Sequence, residues 1–598
     1  MAVDEARART EVSGPPPVAV NADENLTSSL WEREVSRADG VILKHHDGSG
    51  WRDVTWGEAA ERVRTLAAGL IASGIAPGDK VALMSTTRIE WTLLDLAILS
   101  VGAVTVPIYE TSSVEQCVWI LSDSGTRLAI AGSADEAKVL AEACDRVPGV
   151  TELLVIDEGG LDALAQRAGD AEREEVARRA AAVKAADLAT IVYTSGTSGN
   201  PKGCLITHYN LLWTARQAGV VLRTILKQDD ATLLFLTLAH VFTRLIQFMC
   251  WENDVPIGYA RSIDLLTDDL QTFRPTFLLS VPRVFERVYT RAQRMATGAK
   301  RKVFDFAVAT AEELGKTASP SPLLRLKHAV ADRLVYSKIR HAFGGRVHTC
   351  VSGGAPLAPH LAYFFSACGV EVLEGWGLTE TTAPCTVNPP GAPRVGTVGT
   401  PLPGVEVRID SDGEILVRGG NVFNGYHNNP EATAEVFEDG WLRTGDLGRL
   451  DADGYLTITG RKKEIIVTAG GKNVAPALLE ERLKVHPLVS QAMVVGDNRP
   501  FVGALITIDP DELAAHAERH GLSGPPSELI RHESVRAEID KAVAHANSVV
   551  SRAESIRNVV VLERDFDPDH DEVTPSLKLR RRVIAQHFAA EIEQLYTR

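Results

Sequence analysis

The chain has 598 residues, too many for a single hydrophobic core, so two or more domains are expected. Its composition, with 45% hydrophobic and 24% charged residues, is that of a globular protein. A net charge of -15 argues against nucleic acid as the main partner, because a phosphate backbone requires a basic surface.

The cellular compartment is indicated by what the chain lacks. The seven cysteines are scattered without a Cys-x-x-Cys pair, which fits a reducing cytoplasm. Residues 1–25 have no apolar signal segment and are expected to form a loose tail. The longest apolar stretches, 91–109 and 233–251, are interrupted by charged or ionisable residues, so neither is a convincing membrane span. We therefore expect a cytoplasmic protein, with peripheral contact at the inner face of the membrane left open.

The first part of the chain alternates between helix and strand patterns. Thr55 and Glu58 form a capping box before an amphipathic helix. A strand is predicted over 80–85, a helix over 89–101 and a further strand over 103–109. This alternation predicts a layered α/β domain with parallel strands.

A loop rich in glycine and hydroxyl groups follows the end of a buried strand at 191–193, and a helix is predicted from about Thr207. Backbone N–H groups of glycines, hydroxyl groups and a lysine are the donors that hold phosphate. The spacing is not that of a Walker loop, which rules against an ordinary P-loop kinase. A flexible Ser/Gly turn is the alternative. The candidate phosphate-binding residues are Thr194, Ser195, Gly196, Thr197, Ser198, Gly199 and Lys202.

The string YTSGTSGNPKG at 193–203 resembles the phosphate-loop signature of the adenylate-forming (AMP-binding) superfamily. This superfamily contains acyl-CoA synthetases, peptide-synthetase adenylation domains and luciferases. The resemblance covers the chain from about Trp31 to the C-terminus. It implies an α/β protein of the adenylate-forming enzyme fold, with a large layered N-terminal domain of several subdomains over 1–460. A small C-terminal α+β lid domain is implied over 461–598.

Two regions resemble the long-chain branch of the bacterial acyl-CoA synthetases. The first is a basic, helix-prone run between 273 and 352, for which a solvated surface insertion is the alternative. The second, at 236–242, resembles the segment at the entrance of the acyl pocket and implies a role for His240. A lone histidine beside apolar neighbours is otherwise more often a core residue.

Two strings of the large domain resemble the superfamily's segments around adenine and magnesium. The string SGGAP at 352–356 resembles the segment beside adenine and the reacting carboxylate, and a structural turn is the alternative. In EGWGLTE at 374–380, the resemblance places Trp376 against adenine, although relatives commonly carry Tyr there. It gives Thr379 a contact to the α-phosphate and Glu380 a role in holding Mg²⁺. The implied nucleotide-binding residues are Gly353, Gly354, Ala355, Glu374, Gly375 and Trp376.

The C-terminal strings complete the resemblance. Asp446, in TGD, and Arg461 resemble the two ribose contacts, and Lys463 falls at the superfamily's hinge position. Lys578 resembles the lysine that serves adenylation by offsetting charge between carboxylate and α-phosphate. The residues that resemble the loop on the CoA side are Gly470, Gly471 and Lys472.

The lid domain also has its own patterns. A helix is predicted from Pro476 to about Val485, with strands at 490–495 and 502–508. A terminal amphipathic helix is predicted to begin near Lys578. The acidic stretch 567–572 is interpreted as a solvated loop rather than a metal site.

The resemblance implies a long-chain fatty acyl-CoA synthetase. Such an enzyme uses ATP and Mg²⁺ to convert a fatty acid into acyl-AMP and then transfers the acyl group to CoA, releasing pyrophosphate and AMP. Three alternatives stay open: delivery of the acyl group to a carrier protein, a medium-chain or aryl carboxylate as substrate, and an inactive acyl- or nucleotide-binding protein.

Overall fold

The computed structural model describes residues 11–12, 14–194, 200–227, 229–317, 319–567, 570, 572–574 and 578–597. Its contacts divide the chain into two compact units. The first comprises Met1–Arg408, Leu416–Thr444 and Leu450–Leu456, and the second comprises Ile409–Ile415, Gly445–Arg449 and Thr457–Arg598. The domain boundary at 460/461 stays a prediction.

The described residues form the following strands: β1 (Glu11–Val12), β2 (Val41–His46), β3 (Trp51–Thr55), β4 (Lys80–Met84), β5 (Val104–Ile108), β6 (Thr126–Ala131), β7 (Glu152–Val155), β8 (Leu188–Thr194), β9 (Lys202–Thr207), β10 (Thr232–Leu234), β11 (Ile257–Tyr259), β12 (Phe277–Ser280), β13 (Thr349–Ser352), β14 (Glu371–Leu378), β15 (Ala383–Val387), β16 (Thr400–Pro401), β17 (Glu406–Ile409), β18 (Glu414–Arg418), β19 (Phe437–Glu438), β20 (Trp441–Leu450), β21 (Leu456–Arg461), β22 (Ile466–Val467), β23 (Asn473–Val474), β24 (Val489–Val495), β25 (Val502–Ile508) and β26 (Ile556–Val561).

The α-helices are α1 (Ser28–Ser36), α2 (Trp56–Ala72), α3 (Ile89–Ser100), α4 (Val114–Ser124), α5 (Ala134–Asp145), α6 (Gly160–Ala165), α7 (Asp170–Ala182), α8 (His208–Val221), α9 (Val241–Glu252), α10 (Leu266–Phe273), α11 (Pro282–Met295), α12 (Ala299–Gly315), α13 (Pro322–Ala331), α14 (Ser337–Ala342), α15 (Pro359–Ala367), α16 (Pro430–Val436), α17 (Pro476–Leu483), α18 (Pro510–His520), α19 (Pro526–Leu529), α20 (Glu533–Asn547), α21 (Arg581–His587) and α22 (Ala589–Tyr596).

Two large sheets carry the first unit. One has six strands in the order β7-β6-β4-β5-β8-β9, and the other has nine in the order β16-β15-β14-β13-β12-β10-β11-β2-β3. The pairs from β7 to β8 and from β14 to β2 are parallel, while the outer pairs β8/β9, β14/β15, β15/β16 and β2/β3 are antiparallel. The predicted α/β architecture with parallel strands is therefore present, and the predicted strands and helix between 80 and 109 are β4, α3 and β5.

Helix α3 lies deep in the first unit, and eleven of its twelve residues are buried. Its Asp95 accepts hydrogen bonds from Arg244 of α9, at 2.9 Å from Nε and 2.5 Å from Nη2, and both side chains are almost wholly buried. Thr105 of β5 donates to the same carboxylate at 2.7 Å. Two helices and a strand are thus connected through the buried carboxylate of Asp95.

Within the described part of the chain, every helix is too short or too polar to cross a bilayer.

The basic run between 273 and 352 is largely helical, as predicted, and comprises α11 to α14 with a π-helical turn at Asp332–Tyr336. Its inward side chains join an aromatic core. Phe304 and Tyr336 of this run pack there against Phe364 of α15, and Phe285 packs against Phe365. The helices are therefore anchored to the nine-stranded sheet layer by buried rings.

The second unit contains a small α/β core. Strand β25 pairs antiparallel with β24 and parallel with β26, and α17 and α20 cover the sheet. The predicted helix from Pro476 and the two predicted strands are present. The predicted start of the terminal helix near Lys578 is wrong. Leu579 instead forms a β-bridge with Val573, and the helical region begins at Arg581 and breaks at Phe588 into α21 and α22.

Candidate active site

The ends of the phosphate-loop string are held by the β8/β9 hairpin. Thr194 pairs with Lys202 and Tyr193 with Gly203, so Lys202 and Gly203 belong to a strand and not to the loop that the sequence predicted. The predicted residues Ser195, Gly196, Thr197, Ser198 and Gly199 lie outside the described residues. A Cβ at Gly203 would lie 2.7 Å from Cγ2 of Ile191 and 3.0 Å from the Tyr193 ring, so the position requires glycine.

A tyrosine that sequence analysis missed connects two predicted site residues. The hydroxyl of Tyr426 donates to Oε1 of Glu380 at 2.8 Å, and Nζ of Lys202 lies 5.0 Å from the centre of the Tyr426 ring. Burial and the neighbouring Glu380 carboxylate raise the pKa of Tyr426, which keeps its hydroxyl protonated as a donor. Lys202 and Glu380, the predicted cation and the predicted carboxylate, therefore both contact the side chain of Tyr426.

Backbone hydrogen bonds along β9 place Tyr426. The N–H of Leu205 donates to the carbonyl of Gly425, and the carbonyl of Leu205 accepts from the N–H of Asn424, each at 3.0 Å. His427 N–H donates to the carbonyl of Gly203 at 2.7 Å. The only sequence signal here is a turn-like Asn-Gly-Tyr string, which predicts no contact to a residue 46 positions away.

Glu380 lies in a tight turn between β14 and β15. Thr379–Thr381 form a 3₁₀ turn, and Thr382 and Ala383 follow with φ of 51° and 74°. These two conformations are uncommon for residues with a Cβ and are held by hydrogen bonds of the Thr381 hydroxyl to the Leu378 amide and the Ala383 carbonyl. Thr379 and Glu380 are thus presented side by side from a constrained turn.

The preceding strand explains the glycines of the EGWGLTE string. Between Trp376 and Gly377 the register of β14 against β15 shifts by a bulge. A Cβ at Gly377 would lie 1.8 Å from the carbonyl oxygen of Ala383, so no other residue fits there. Trp376 and Gly375 are half-buried on the same strand.

Glu374 is buried at the start of this string. Its Oε2 accepts a hydrogen bond from the amide of Leu357 at 3.2 Å, directly after the SGGAP loop. Burial raises the pKa of Glu374 to about 7, opposed by the backbone donors Leu357 and Gly396. The carboxyl therefore connects the loop that carries Gly353, Gly354 and Ala355 to strand β14.

His240 and Gly353 both lie next to Phe242. Nδ1 of His240 accepts the amide of Phe242 at 3.2 Å and so caps helix α9. A Cβ at Gly353 would lie 2.9 Å from the Phe242 ring, which shows how closely the SGGAP loop approaches it. The imidazole of His240 also packs edge-on near Tyr109, with ring centres 6.5 Å apart. His240 thus has a structural role as a cap, whatever else it does.

In the second unit, Asp446 and Arg461 are brought together. Nε of Arg461 lies 3.0 Å from Oδ1 of Asp446, whose side chain is 4% exposed. The next residue, Lys462, pairs with Glu414 at 2.8 Å and with Asp412 at 2.5 Å. The two basic residues at the end of β21 are therefore held by carboxylates of the segments Ile409–Ile415 and Gly445–Arg449.

Beyond the predicted hinge, the ion pairs involve other partners. Lys463 itself is exposed, and Glu464 lies 3.5 Å from Nε of Arg581. Arg581 also donates to both oxygens of Glu480 in α17, at 2.7 and 2.5 Å. This arginine follows Lys578 by three residues and ties α21 to α17; sequence analysis missed it because its partner is 101 residues away.

Lys578 lies shortly before α21 and is hydrogen-bonded to Thr574. Its amide donates to the Thr574 hydroxyl at 3.0 Å and its carbonyl accepts from the Thr574 amide at 2.8 Å, and the residue is exposed. The sequence predicted a solvated loop for the acidic stretch 567–572. At Glu572 this prediction is wrong. The Glu572 side chain is fully buried and accepts two hydrogen bonds from Arg564, each at 2.6 Å.

The predicted CoA-side residues form the turn of the β22/β23 hairpin. Gly471 has a φ of 73°, its amide donates to the Thr468 carbonyl at 2.8 Å, and Gly470 and Lys472 flank it on the surface. Nζ of Lys472 lies 3.4 Å from Glu554. Among the residues that the structure describes, no cluster of three or more His, Cys, Asp or Glu side chains could hold a metal ion alone.

The chain is similar to known families, proteins and solved structures. A sequence model described as AMP-binding enzyme matches residues 32–427, and one described as AMP-binding enzyme C-terminal domain matches 463–598. The long-chain-fatty-acid-CoA ligase FadD15 of Mycobacterium bovis is 46% identical over 597 residues, covering 98% of this chain and 100% of that protein.

Two solved structures show similar folds. The anthranilate CoA ligase AuaEII in complex with anthranoyl-AMP has a TM-score of 0.73 at 21% identity, covering 96% of this chain and 99% of that one. A Mycobacterium tuberculosis fatty acyl CoA synthetase has a TM-score of 0.62 at 23% identity, covering 95% and 99%.

The buried carboxyl of Glu374 predicts a pH-dependent stability. Because its folded-state pKa of about 7 lies above the ordinary value of 4.5, stabilisation by the bound proton is present below 4.5 and lost as the pH rises through 7. Glu374→Gln keeps an acceptor for the Leu357 amide without a charge. We expect the variant to exceed the parent's free energy of unfolding by up to about 3 kcal/mol above pH 8.

Denaturant unfolding of both proteins over a pH series measures this difference. It should shrink as the pH falls toward 4.5, and the exposed control Glu142→Gln should show no such trend. A parent protein that gains stability relative to the variant as the pH rises would contradict the assignment.

Proposed function

The chain belongs to the AMP-binding enzyme family, and from this premise we propose that it is a long-chain fatty acid CoA ligase driven by ATP. The predicted family and the α/β adenylate-forming fold, with a large N-terminal and a small C-terminal domain, are confirmed. The observation that carries the proposal is the full-length similarity, at 46% identity, to a protein named as such a ligase.

The proposed reaction has two steps. A carboxylate oxygen of the fatty acid attacks the α-phosphorus of ATP, the bond to pyrophosphate breaks, and acyl-AMP forms. The thiol of CoA then attacks the acyl carbon, AMP leaves, and the thiol proton is released. Because both reactants of the first step are anions, the site must supply cations and hydrogen-bond donors around one phosphorus atom.

The first unit supplies part of this environment. Thr194 and Lys202 hold the ends of the phosphate loop, and we propose that Lys202 and Thr379 contact ATP phosphates. Glu380 fits a magnesium ligand, because its carboxylate is oriented by Tyr426 and a hard cation prefers carboxylate oxygen. When bound, Mg²⁺ would offset the charge of the ATP phosphates.

The adenine side is proposed at Gly353, Gly354, Ala355, Gly375 and Trp376. The buried carboxyl of Glu374 bonds to the Leu357 amide, which supports a role in fixing this loop instead of direct contact with the nucleotide. His240, at the start of α9, is proposed at the acyl-pocket entrance.

The second unit would supply the remaining groups. We propose that the Asp446 carboxylate, in its pair with Arg461, accepts hydrogen bonds from the ribose hydroxyls. The lid is proposed to comprise 461–598 and to turn about Lys463, which presents Lys578 for adenylation. After the turn it would present Gly470, Gly471 and Lys472 for thioester formation.

A cytoplasmic location with peripheral membrane contact at the inner face is also proposed. It is supported by the cysteines, all of which lie in the described residues, because none of the seven forms a disulfide.

A pyrophosphate-release panel over saturated acids of increasing length, with and without CoA, tests the function. We expect release of pyrophosphate with long-chain acids and, only when CoA is present, acyl-CoA detected by mass spectrometry. Thioester on a phosphopantetheinyl carrier protein but not on CoA would identify an acyl-AMP ligase. Release confined to medium-chain or aryl acids would change the substrate, and no release with any acid would refute the enzyme.

Lys578→Ala separates the two steps. Since the ammonium group offsets charge only while pentacoordinate phosphorus forms, we expect adenylation to fall about 10²–10³-fold. Thioester formation from supplied acyl-AMP should stay near the parental rate. The control Lys541→Ala removes an exposed lysine of the same unit and should affect neither step. Equal loss of both steps in the Lys578 variant would contradict its assignment.

Tyr426→Phe tests the connection between Lys202 and Glu380. Loss of a hydroxyl that orients a metal-binding carboxylate weakens metal affinity about 10–100-fold in comparable sites. We expect the variant to need that much more Mg²⁺ for pyrophosphate release and to bind Mg-ATP more weakly by calorimetry. Tyr455→Phe, which removes a hydroxyl that donates to the Ala392 carbonyl, is the control. An unchanged Mg²⁺ requirement would show that Tyr426 does not position Glu380.

A further inference from the structure

Helix α13 and the π-helical turn that follows it expose an apolar face. The side chains of Leu323, Leu326, Val330 and Leu334 are 64%, 62%, 44% and 44% exposed, and we call these four residues the Leu323 face. Their spacing of three, four and four residues places them on one side of a helix. Thirteen large apolar residues among the described residues are between 37% and 86% exposed, and four of them lie here.

The opposite side of the same helix is well packed. Leu324, Ala331 and Tyr336 are buried in the aromatic core of the first unit, and the Tyr336 hydroxyl donates to the Ala307 carbonyl at 2.6 Å. The Leu323 face is therefore not the inner side of a loosely placed helix. It is the outer face of an anchored one, where apolar residues have no role in packing the described core.

The surroundings of this face are basic. Residues 282–345 contain 13 Lys and Arg against five Asp and Glu, whereas the whole chain has 63 against 78. Acidic side chains nearby are already paired: Asp332 with Arg340 at 2.6 Å and Glu313 with Lys327 at 3.0 Å. Two exposed basic residues that form no ion pair with the described residues then lie at the edges of the Leu323 face; they are Arg333 and Lys338.

We propose that the Leu323 face is a docking surface for an anionic lipid bilayer. An interfacial helix lies in the membrane plane with its apolar side chains among the acyl chains and its Lys and Arg residues at the headgroup level. Anionic headgroups attract the flanking cations, so apolar insertion and charge act together. The inference deepens the proposed function, because a long-chain fatty acid partitions into bilayers and would be delivered there.

A second copy of this chain fits the same surface less well. A symmetric contact would place the Leu323 face of one copy against that of the other, and the basic residues Arg333 and Lys338 at its edges would then lie close to the basic residues of the other copy. Like charges at the rim of such a contact repel. Charge complementarity therefore favours an anionic partner over self-association.

Vesicle co-sedimentation of the full chain without ATP or CoA tests the proposal. The vesicles are pure phosphatidylcholine, or equal parts of phosphatidylcholine and phosphatidylglycerol. We expect binding to the anionic vesicles that weakens as salt is raised. Leu323→Gln/Leu326→Gln should lower the partition coefficient at least about tenfold. Arg333→Glu/Lys338→Glu should lower binding to the anionic vesicles only.

The control Val35→Gln/Val549→Gln removes two apolar side chains of comparable exposure elsewhere and should bind as the parent does. Absence of parental binding, equal binding to both vesicle types, or parental binding by the Leu323 face variant would overturn the proposal. Self-association in sedimentation velocity that this variant abolishes, without vesicle binding, would identify a second copy as the occupant. Pyrophosphate release with detergent-dispersed fatty acid, measured separately, distinguishes failure of the docking surface from failure of the proposed activity.

Discussion

The pairing of β8 with β9 is the constraint on which the candidate active site of the first unit depends. The hairpin fixes both ends of the phosphate-loop string, since Thr194 and Lys202 face each other in register. Strand β9 then binds the Tyr426 segment through backbone hydrogen bonds, and Tyr426 orients Glu380. One antiparallel pair thus sets the positions of a cation, a ring and a carboxylate that come from three separate parts of the chain.

Buried charge is used repeatedly to connect distant segments. Asp95 with Arg244 joins two helices in the first unit, and Glu480 with Arg581 joins α17 to α21 in the second. Such pairs contribute little net stability over apolar residues of equal size, but removal of one partner leaves a costly buried charge. Their effect is to specify one arrangement of the segments that they join, which is what a site assembled from distant residues requires.

The sequence predicted the helix caps and strands whose formation depends on residues close together in the chain. The caps at Thr55 and Thr207 and the parallel strands of the first unit are present because capping and hydrophobic periodicity act within a few residues. The terminal helix was misplaced because Leu579 fits an amphipathic helix and a β-bridge equally well, and only its pairing with Val573 decides. Tyr426 was missed for a related reason: its contact to Glu380 spans 46 positions and leaves no periodic trace. The residue string alone thus pointed to the type of site, whereas the groups that orient it became visible only in the fold.

The ion pairs of the second unit fall into two sets on either side of Lys463. Among the residues that the structure describes, Arg461 and Lys462 pair with carboxylates that precede them in the chain, at Asp446, Glu414 and Asp412. Glu464 pairs with Arg581, which follows it, and Arg581 in turn pairs with Glu480. A backbone rotation at the exposed Lys463 would carry each set with its own side and would break none of these pairs. Rotation one residue later would instead separate Glu464 from Arg581. The charge pattern therefore supports the proposed hinge at Lys463 over one at Glu464.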